Sequence, residues 1–166
     1  MRALATPSLL AATVTTGLMA GLFAAFAYSV MPGLHRSDDH TFVTAMQRIN
    51  QAILNGWFMT CFLGALVALG LAAVTQWTDG DRKVFAYVVA ASVLYLTMFV
   101  ITAAVNVPLN NELADVGSPD RIADLAAVRA RFESRWVTWN IVRAVTSTGA
   151  FGCLVWVLVL HGRSTR

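Results

Sequence analysis

"RWVTWNIVRAVTSTGAFGCLVWVLVL", residues 135–160, decides the fold. From Val137 to Leu160 it is long and apolar enough to cross a hydrocarbon core, which takes about 20 residues as helix. Yet it carries Asn140 and Arg143, an amide and a guanidinium one turn apart, beside Trp136 and Trp139. An arginine facing lipid at mid-depth costs at least ~2.5 kcal/mol, so such a residue faces a bundle interior or a wet cavity. The segment therefore implies a membrane helix and also neighbours for that helix.

Three more apolar runs supply them: Pro7 to Val30, Leu54 to Gln76 and Val84 to Val105. The expected fold is all-α, a four-helix transmembrane bundle with helical extensions on the outer side, forming one domain over residues 1–166. Composition agrees. The chain is 57% apolar and 13% charged, where a soluble domain carries about 25% charge, and its mean hydropathy is +0.63. The lipid bilayer is thus the first partner. The net charge of +3 is spread thinly, with no basic run, which excludes nucleic acid as a partner. Cys61 and Cys153 lie in different spans and read as small buried apolar residues, with no CxxC motif or disulfide framework.

The first run needs a decision. Arg2, the apolar stretch and Ala25-Phe26-Ala27 imitate a secretory signal with its cleavage site. The stretch is longer than an ordinary signal core, however. It also carries Gly17, Gly21 and Ala25 at every fourth position, a small-residue stripe on which another helix packs closely. It is read as a retained span.

The connections alternate in length. Thr78 to Lys83 is short, whereas Met31 to Ile53 and Asn106 to Trp136 are long. Arg2, Arg82, Lys83, Arg163 and Arg166 crowd the termini and the short loop, close to span ends. By the positive-inside rule both termini are cytoplasmic, and the membrane is expected to be a bacterial inner membrane. Both long connections then lie outside. Ser37 or Asp38 caps a helix beginning near Asp39 and running through Phe42, Met46 and Ile49 into the second span. Ser118-Pro119 reads as the start of another helix, expected to continue unbroken from Pro119 to Leu160, about 60 Å. Pro108 disfavours helix at Val107, so the third span is expected to stop near Asn106. No internal repeat is evident.

Projected as a helix, Arg129, Glu133, Trp136, Asn140, Arg143 and Ser147 fall on one face. They form a polar and aromatic stripe descending from the outer side into the membrane. The other spans bring polar groups to similar depth: Gln47, Asn50, Gln51 and Asn55 before the second, Thr102, Asn106, Asn110 and Asn111 at the end of the third, Tyr28 and Ser29 at the end of the first. Taken singly, each amide reads as a satisfier of freed carbonyls, each Trp as an interface marker, and Arg143 as a snorkelling side chain. Taken together they describe a mostly apolar cavity with a few convergent donors, the usual form of a ligand site. His35 and His40, with Asp38 and Asp39 between them, read as a solvated cap rather than a metal site, and His161 lies at the opposite face. No metal ligand set, histidine pair for haem, phosphate loop or hydrolase motif is present.

"VMPGL" (30–34), "AMQRINQAILNGWF" (45–58), "NVPLNNEL" (106–113) and "RFESRWVTWNIVRAV" (131–145) together resemble the anthrone oxygenase-like integral membrane family. The likeness covers nearly the whole chain in the same order. Its specific parts are "NVPLNN" and the W-x-x-W-N-x-x-R string. Much of that family has been described only as a domain of unknown function. The resemblance implies a membrane monooxygenase that oxidises a lipophilic, polycyclic phenolic substrate of anthrone type with molecular oxygen, in polyketide metabolism, without a cofactor. It implies that Trp136 and Trp139 stack on the ring, with Gln47, Asn50, Asn106, Asn110 and Tyr28 around it. Arg143 with Asn140 and Asn106 would hold the oxyanion, and Glu133 or His35 would be the base. Two departures stand out. Relatives often have Asn-Pro where this chain has Asn55-Gly56, and some have a histidine where it has Ile141. Two other classes stay open: a non-catalytic membrane protein that binds or passes a small lipophilic molecule, and a structural subunit of a larger complex. Oligomer formation is compatible with all three.

Overall fold

The computed structural model describes residues 2–79 and 81–164. Arg166 and the side chain of Arg2, both used in the topology reading, lie outside the described residues. The described residues form helices joined by short turns, with no strand among them. Seven α-helices follow in order: α1 Arg2–Ala25, α2 Met31–His35, α3 Asp39–Ala52, α4 Gly56–Asp79, α5 Arg82–Ile101, α6 Val107–Asp115 and α7 Leu125–Ser164. Four helical stretches, Leu4–His35, Gly56–Thr78, Arg82–Asp115 and Leu125–Arg163, are long and apolar enough to cross a membrane. α1 packs on α4 and α7, and α5 packs on α4 and α7. The spans thus close an up-down-up-down ring, as expected for a bundle with direct connections. Three buried clusters stack along it. One lies at the end of the bundle nearest both termini, called inner after the expected topology and the opposite end outer, around Leu9, Val88 and Val157. The middle one is built around Tyr95, Met98 and Leu154, and the outer one around Phe42, Met46, Leu109 and Phe132.

Close packing is local rather than striped. A Cβ on Gly17 would meet Phe151 Cε2 at 2.8 Å, so α1 and α7 approach there as only glycine permits, whereas nothing lies within 4 Å of a Cβ on Gly21. The expected stripe therefore works at Gly17 and not at Gly21. At the inner end Thr6 Oγ1 and His161 Nε2 meet at 3.0 Å, and Tyr95 donates to the Phe62 carbonyl at 3.0 Å, tying α5 to α4.

Four helix boundaries correct the sequence reading. The third span does not stop at Asn106. It passes through a π-helical turn, Thr102–Asn106, and continues as α6 with Pro108 in its first turn. The first span does the same, with a π turn at Phe26–Val30 followed by Pro32 in the first turn of α2. In both, the wide turn is closed by a bond to a carbonyl five residues back: Met31 N–H to Phe26 O and Val107 N–H to Thr102 O. The proline that follows then needs no N–H, and the carbonyl its ring would strike has moved aside. α3 does not run into the second span either. The chain breaks at Ile53 to Asn55, where the Asn55 carboxamide accepts from Phe58 N–H at 3.0 Å and so caps α4. Finally, α7 begins at Leu125 and not at Pro119. Pro119–Arg121 is a single 3-10 turn, Ile122 is extended, and Asp124 caps α7 through Ala127 N–H at 2.9 Å. The expected cap of α3 by Asp38 is present, with Thr41 N–H at 2.9 Å.

The outer extensions are held by two side chains. Arg129 donates to the carbonyls of His35 and Ser37 at 2.7 and 2.9 Å, satisfying groups at and just past the end of α2. It also pairs with Glu133 at 2.7 Å and Asp39 at 3.0 Å, and lies over the Phe42 ring. Gln47 donates to the carbonyls of Leu113 and Gly117 at 2.8 and 3.0 Å, closing the end of α6. Gly117 turns the chain there with φ +80°, which favours glycine.

Candidate functional site

The polar stripe of α7 divides at Trp136. Above it, Arg129 and Glu133 serve the outer extensions. Below it, the stripe meets a cavity of about 240 Å³ in the outer half of the bundle, lined by Leu22, Phe23, Phe26, Phe58, Thr102, Trp136, Asn140 and Arg143, among others. From outside, the end of α3 contributes Gln47, Asn50 and Ile53, and α6 contributes Asn110 and Asn111. Leu54, at the break before α4, is 70% exposed and also lines it, so the entrance mixes amides with an apolar side chain.

Arg143 is 5% exposed. Its guanidinium lies between two rings, 4.5 Å from the Phe23 centroid and 5.3 Å from that of Trp136. Nη2 donates to Asn140 Oδ1 at 2.9 Å, and Nη1 reaches Thr102 Oγ1 at 3.5 Å. Nε is buried and has no partner. Asn140, fully buried, uses its amide nitrogen on the Phe23 carbonyl at 3.1 Å, in the turn that leads into the first π segment. Ser147 donates to the Arg143 carbonyl at 2.6 Å. Trp136 Nε1 donates to Asn110 Oδ1 at 2.7 Å, and its ring packs against Phe26 and Phe132. The result is a fixed cation between aromatic faces with spare donor capacity. Among the described lining residues there is no Asp, Glu or His.

The structure brings Gln47, Asn50, Asn110, Trp136, Asn140 and Arg143 together around this cavity. Asn106 sits behind the wall, fully buried, and donates to the Trp136 carbonyl at 3.3 Å. Tyr28, 74% exposed, and Trp139, 38% exposed, face away. By the helical period Trp139 stands about 65° from the middle of the face shared by Trp136, Asn140 and Arg143. Glu133 and His35 also lie outside the lining. They pair with each other at 2.7 Å, and Arg129 holds the other carboxylate oxygen of Glu133. His40 pairs with Asp120 at 2.8 Å, and no group of three or more His, Cys, Asp or Glu that would hold a metal occurs among the described residues.

Phe23, Phe26 and Phe58 are aromatic lining residues that sequence reading missed, along with several aliphatic ones. Each sits in an apolar run where one more phenylalanine carries no signal. Only the unusual neighbour of Phe23, an arginine 120 positions along the chain, distinguishes it.

The family model for anthrone oxygenase matches residues 57–153. Comparison with curated proteins and with solved structures gives no match.

Proposed function

Because the chain belongs to the anthrone oxygenase family, we propose that the cavity binds a planar, polycyclic phenol of anthrone type and promotes its oxidation by molecular oxygen. The observation that carries this reading is Arg143: a buried cation between two aromatic faces, with an unpartnered Nε, beside a cavity without a counter-charge. A flat ring fits between apolar walls with its carbonyl oxygen toward the guanidinium. Asn140 is a positioning residue, since both sides of its amide are committed, to Arg143 and to the Phe23 carbonyl.

The acidic hydrogen of an anthrone sits on the doubly benzylic carbon opposite its carbonyl. As that proton leaves, negative charge moves onto the carbonyl oxygen, where a preorganised cation in a water-poor site stabilises it most. With no carboxylate or imidazole in the described lining, the proton passes to water at the mouth. The enolate then reduces oxygen and forms a C–O bond at the same carbon, giving a hydroperoxide. Loss of the second hydrogen as a proton, with O–O cleavage, leaves the new carbonyl. One oxygen atom enters the product and the other departs as water. The substrate supplies the electrons, so the reaction as written needs no cofactor.

The mostly apolar walls of the cavity, Leu54 at its entrance and the four spans support delivery of a lipophilic substrate from the bilayer. The Lys and Arg density at the short loop supports cytoplasmic termini in a bacterial inner membrane, with the cavity in the outer half. A place in polyketide metabolism follows from the substrate class. A second reading, a binder or carrier of a lipophilic aromatic, is favoured by the lack of a base in the lining. Oxygen uptake by the purified protein with emodin anthrone decides. Stoichiometric uptake that Arg143→Ala abolishes supports the oxygenase, whereas tight binding without uptake supports the carrier.

A further inference from the structure

The exposed residues of the cavity lining come from two segments only. Gln51 and Leu54 belong to the end of α3 and the break that follows it, and Val107, Asn111 and Ala114 belong to α6. On the α1 and α7 sides the lining is buried or half-buried. The cavity therefore opens between the α3–α4 break and α6.

Two amides set the level of that opening. Gln47 ties α3 to the carbonyls of Leu113 and Gly117 and so closes the seam between α3 and α6 from the outer side. Beyond this clamp α3 runs on for about a turn before the chain breaks. Asn55 builds the break locally. Its amide nitrogen donates to the Ala52 carbonyl at 2.9 Å, and its oxygen accepts from Phe58 N–H at 3.0 Å. From there α4 packs on α1 and α5, while α6 packs on α3 and α7. The seam between the start of α4 and α6 is left without close packing, on the membrane side of the Gln47 clamp. Leu54 stands at its edge, directly before the span Gly56–Thr78. Trp57, 78% exposed, follows about a turn later, as aromatic residues do at a bilayer boundary. Polarity is graded in the same sense along both lips. The amide, Gln51 or Asn111, is the outer residue, and the apolar side chain, Leu54 or Val107, is the inner one. A planar phenol takes that order in a bilayer, with its hydroxyl toward the headgroups and its rings among the acyl chains.

We propose that the α3–α4 break is the portal of the site: the ligand enters sideways from the bilayer, between Leu54 and α6, and does not descend from the aqueous side. This rests on the reading of the cavity as a site for a lipophilic aromatic and adds the path by which it loads. Asn55 is a positioning residue for the portal, because its cap fixes both the lip and Phe58 in the wall behind it.

The test places a bimane label on Leu54→Cys and, separately, on Asn111→Cys, with the full chain in lipid nanodiscs. Native protein treated with the same reagent controls for Cys61 and Cys153, and labelled Tyr28→Cys controls for an exposed position away from the lining. Binding of an unreactive dihydroxyanthraquinone is followed by stopped-flow quenching of tryptophan fluorescence. An obstructed portal slows entry and exit alike, so the label at either lip is expected to lower both rates about 10-fold or more while Kd stays within about 2-fold. The label at Tyr28→Cys should leave both rates unchanged. Bimane at Leu54→Cys should be quenched by nitroxides on lipid acyl chains and protected from aqueous iodide. Thermal melting checks that each labelled protein is folded. Unchanged rates at both lips, a weakened Kd at unchanged entry rate, or quenching by iodide alone overturns the portal and leaves the oxygenase reading intact. Failure of the native protein to bind the probe overturns both.

Discussion

Arg143 Nη2 lies 2.9 Å from Asn140 Oδ1, and the same Asn140 donates its amide hydrogen to the Phe23 carbonyl. One short side chain thus holds the cation in place and joins α7 to the turn of α1 that leads into its π segment. Without Asn140 the guanidinium would keep only the 3.5 Å approach to Thr102, and the Phe23 carbonyl would lose that bond.

Asn140→Ala is therefore expected to destabilise the bundle by about 3 kcal/mol, from a lost charge-assisted bond and an uncovered carbonyl. Asn140→Asp should melt closer to the native protein, since a carboxylate still accepts from Arg143, yet it should be poorly active because it neutralises the charge meant for the oxyanion. Melting curves and oxygen uptake on both variants check this. If Asn140→Asp is fully active, charge at Arg143 is not what matters.

Removing Arg143 has opposed structural effects. Arg143→Ala uncovers Asn140 Oδ1 but also relieves a buried cation with no counter-ion. Melting should change little while turnover of an anthrone falls about 100-fold or more. Arg143→Lys should not restore it fully, because an ammonium lacks the planar fork that stacks between Phe23 and Trp136. Parallel loss of melting temperature and activity would assign Arg143 a structural role only.

Glu133 and His35 give the converse expectation. Glu133 accepts from both Arg129 and His35, outside the cavity. Glu133→Gln and His35→Gln should retain at least about half of native turnover, since neither touches the space where the ring would bind. A loss of about 100-fold in either at unchanged melting would return the base to this pair.

The contact at Gly17 is sterically tight. A methyl there would meet Phe151 at 2.8 Å, so Gly17→Ala should destabilise by about 1–3 kcal/mol, while Gly21→Ala should be neutral. Phe151→Leu in the Gly17→Ala background should recover part of the loss, as coupled neighbours do. Additive losses in the double variant would mean the two helices do not meet there.

Asp38 caps α3, and bonds from the Thr41 N–H and hydroxyl hold its pKa below the ordinary carboxylate value. A depressed native pKa contributes stability that is present above the unfolded value of about 3.9 and lost as pH falls through the native one. Amide exchange in the first turn of α3, corrected for intrinsic rates, should therefore quicken as the pH falls below about 4. Asp38→Ser, a neutral cap, should show no such step. An identical profile in both proteins would remove the carboxylate from the account.

The four spans were legible in the sequence because crossing a bilayer is a matter of length and composition. The free energy of an apolar run in hydrocarbon depends on its own residues and little on its neighbours. The face shared by Trp136, Asn140 and Arg143 was legible for a similar reason, since α7 runs without interruption and a fixed period orders its side chains. The helix ends and the other walls were not. The two π turns let α1 and α5 continue past Pro32 and Pro108, and each adds an extra residue to a turn, which rotates every side chain beyond it to a new face. Bonds from a distant helix lie beside both: Asn140 on α7 to Phe23 beside the first, and Asn106 of the second to Trp136 on α7. Such turns depend on contacts between residues far apart in the chain, which local composition does not encode. Only the tertiary structure could therefore set Phe23 against Arg143, turn Tyr28 outward, and place Asn106 behind the wall rather than in it.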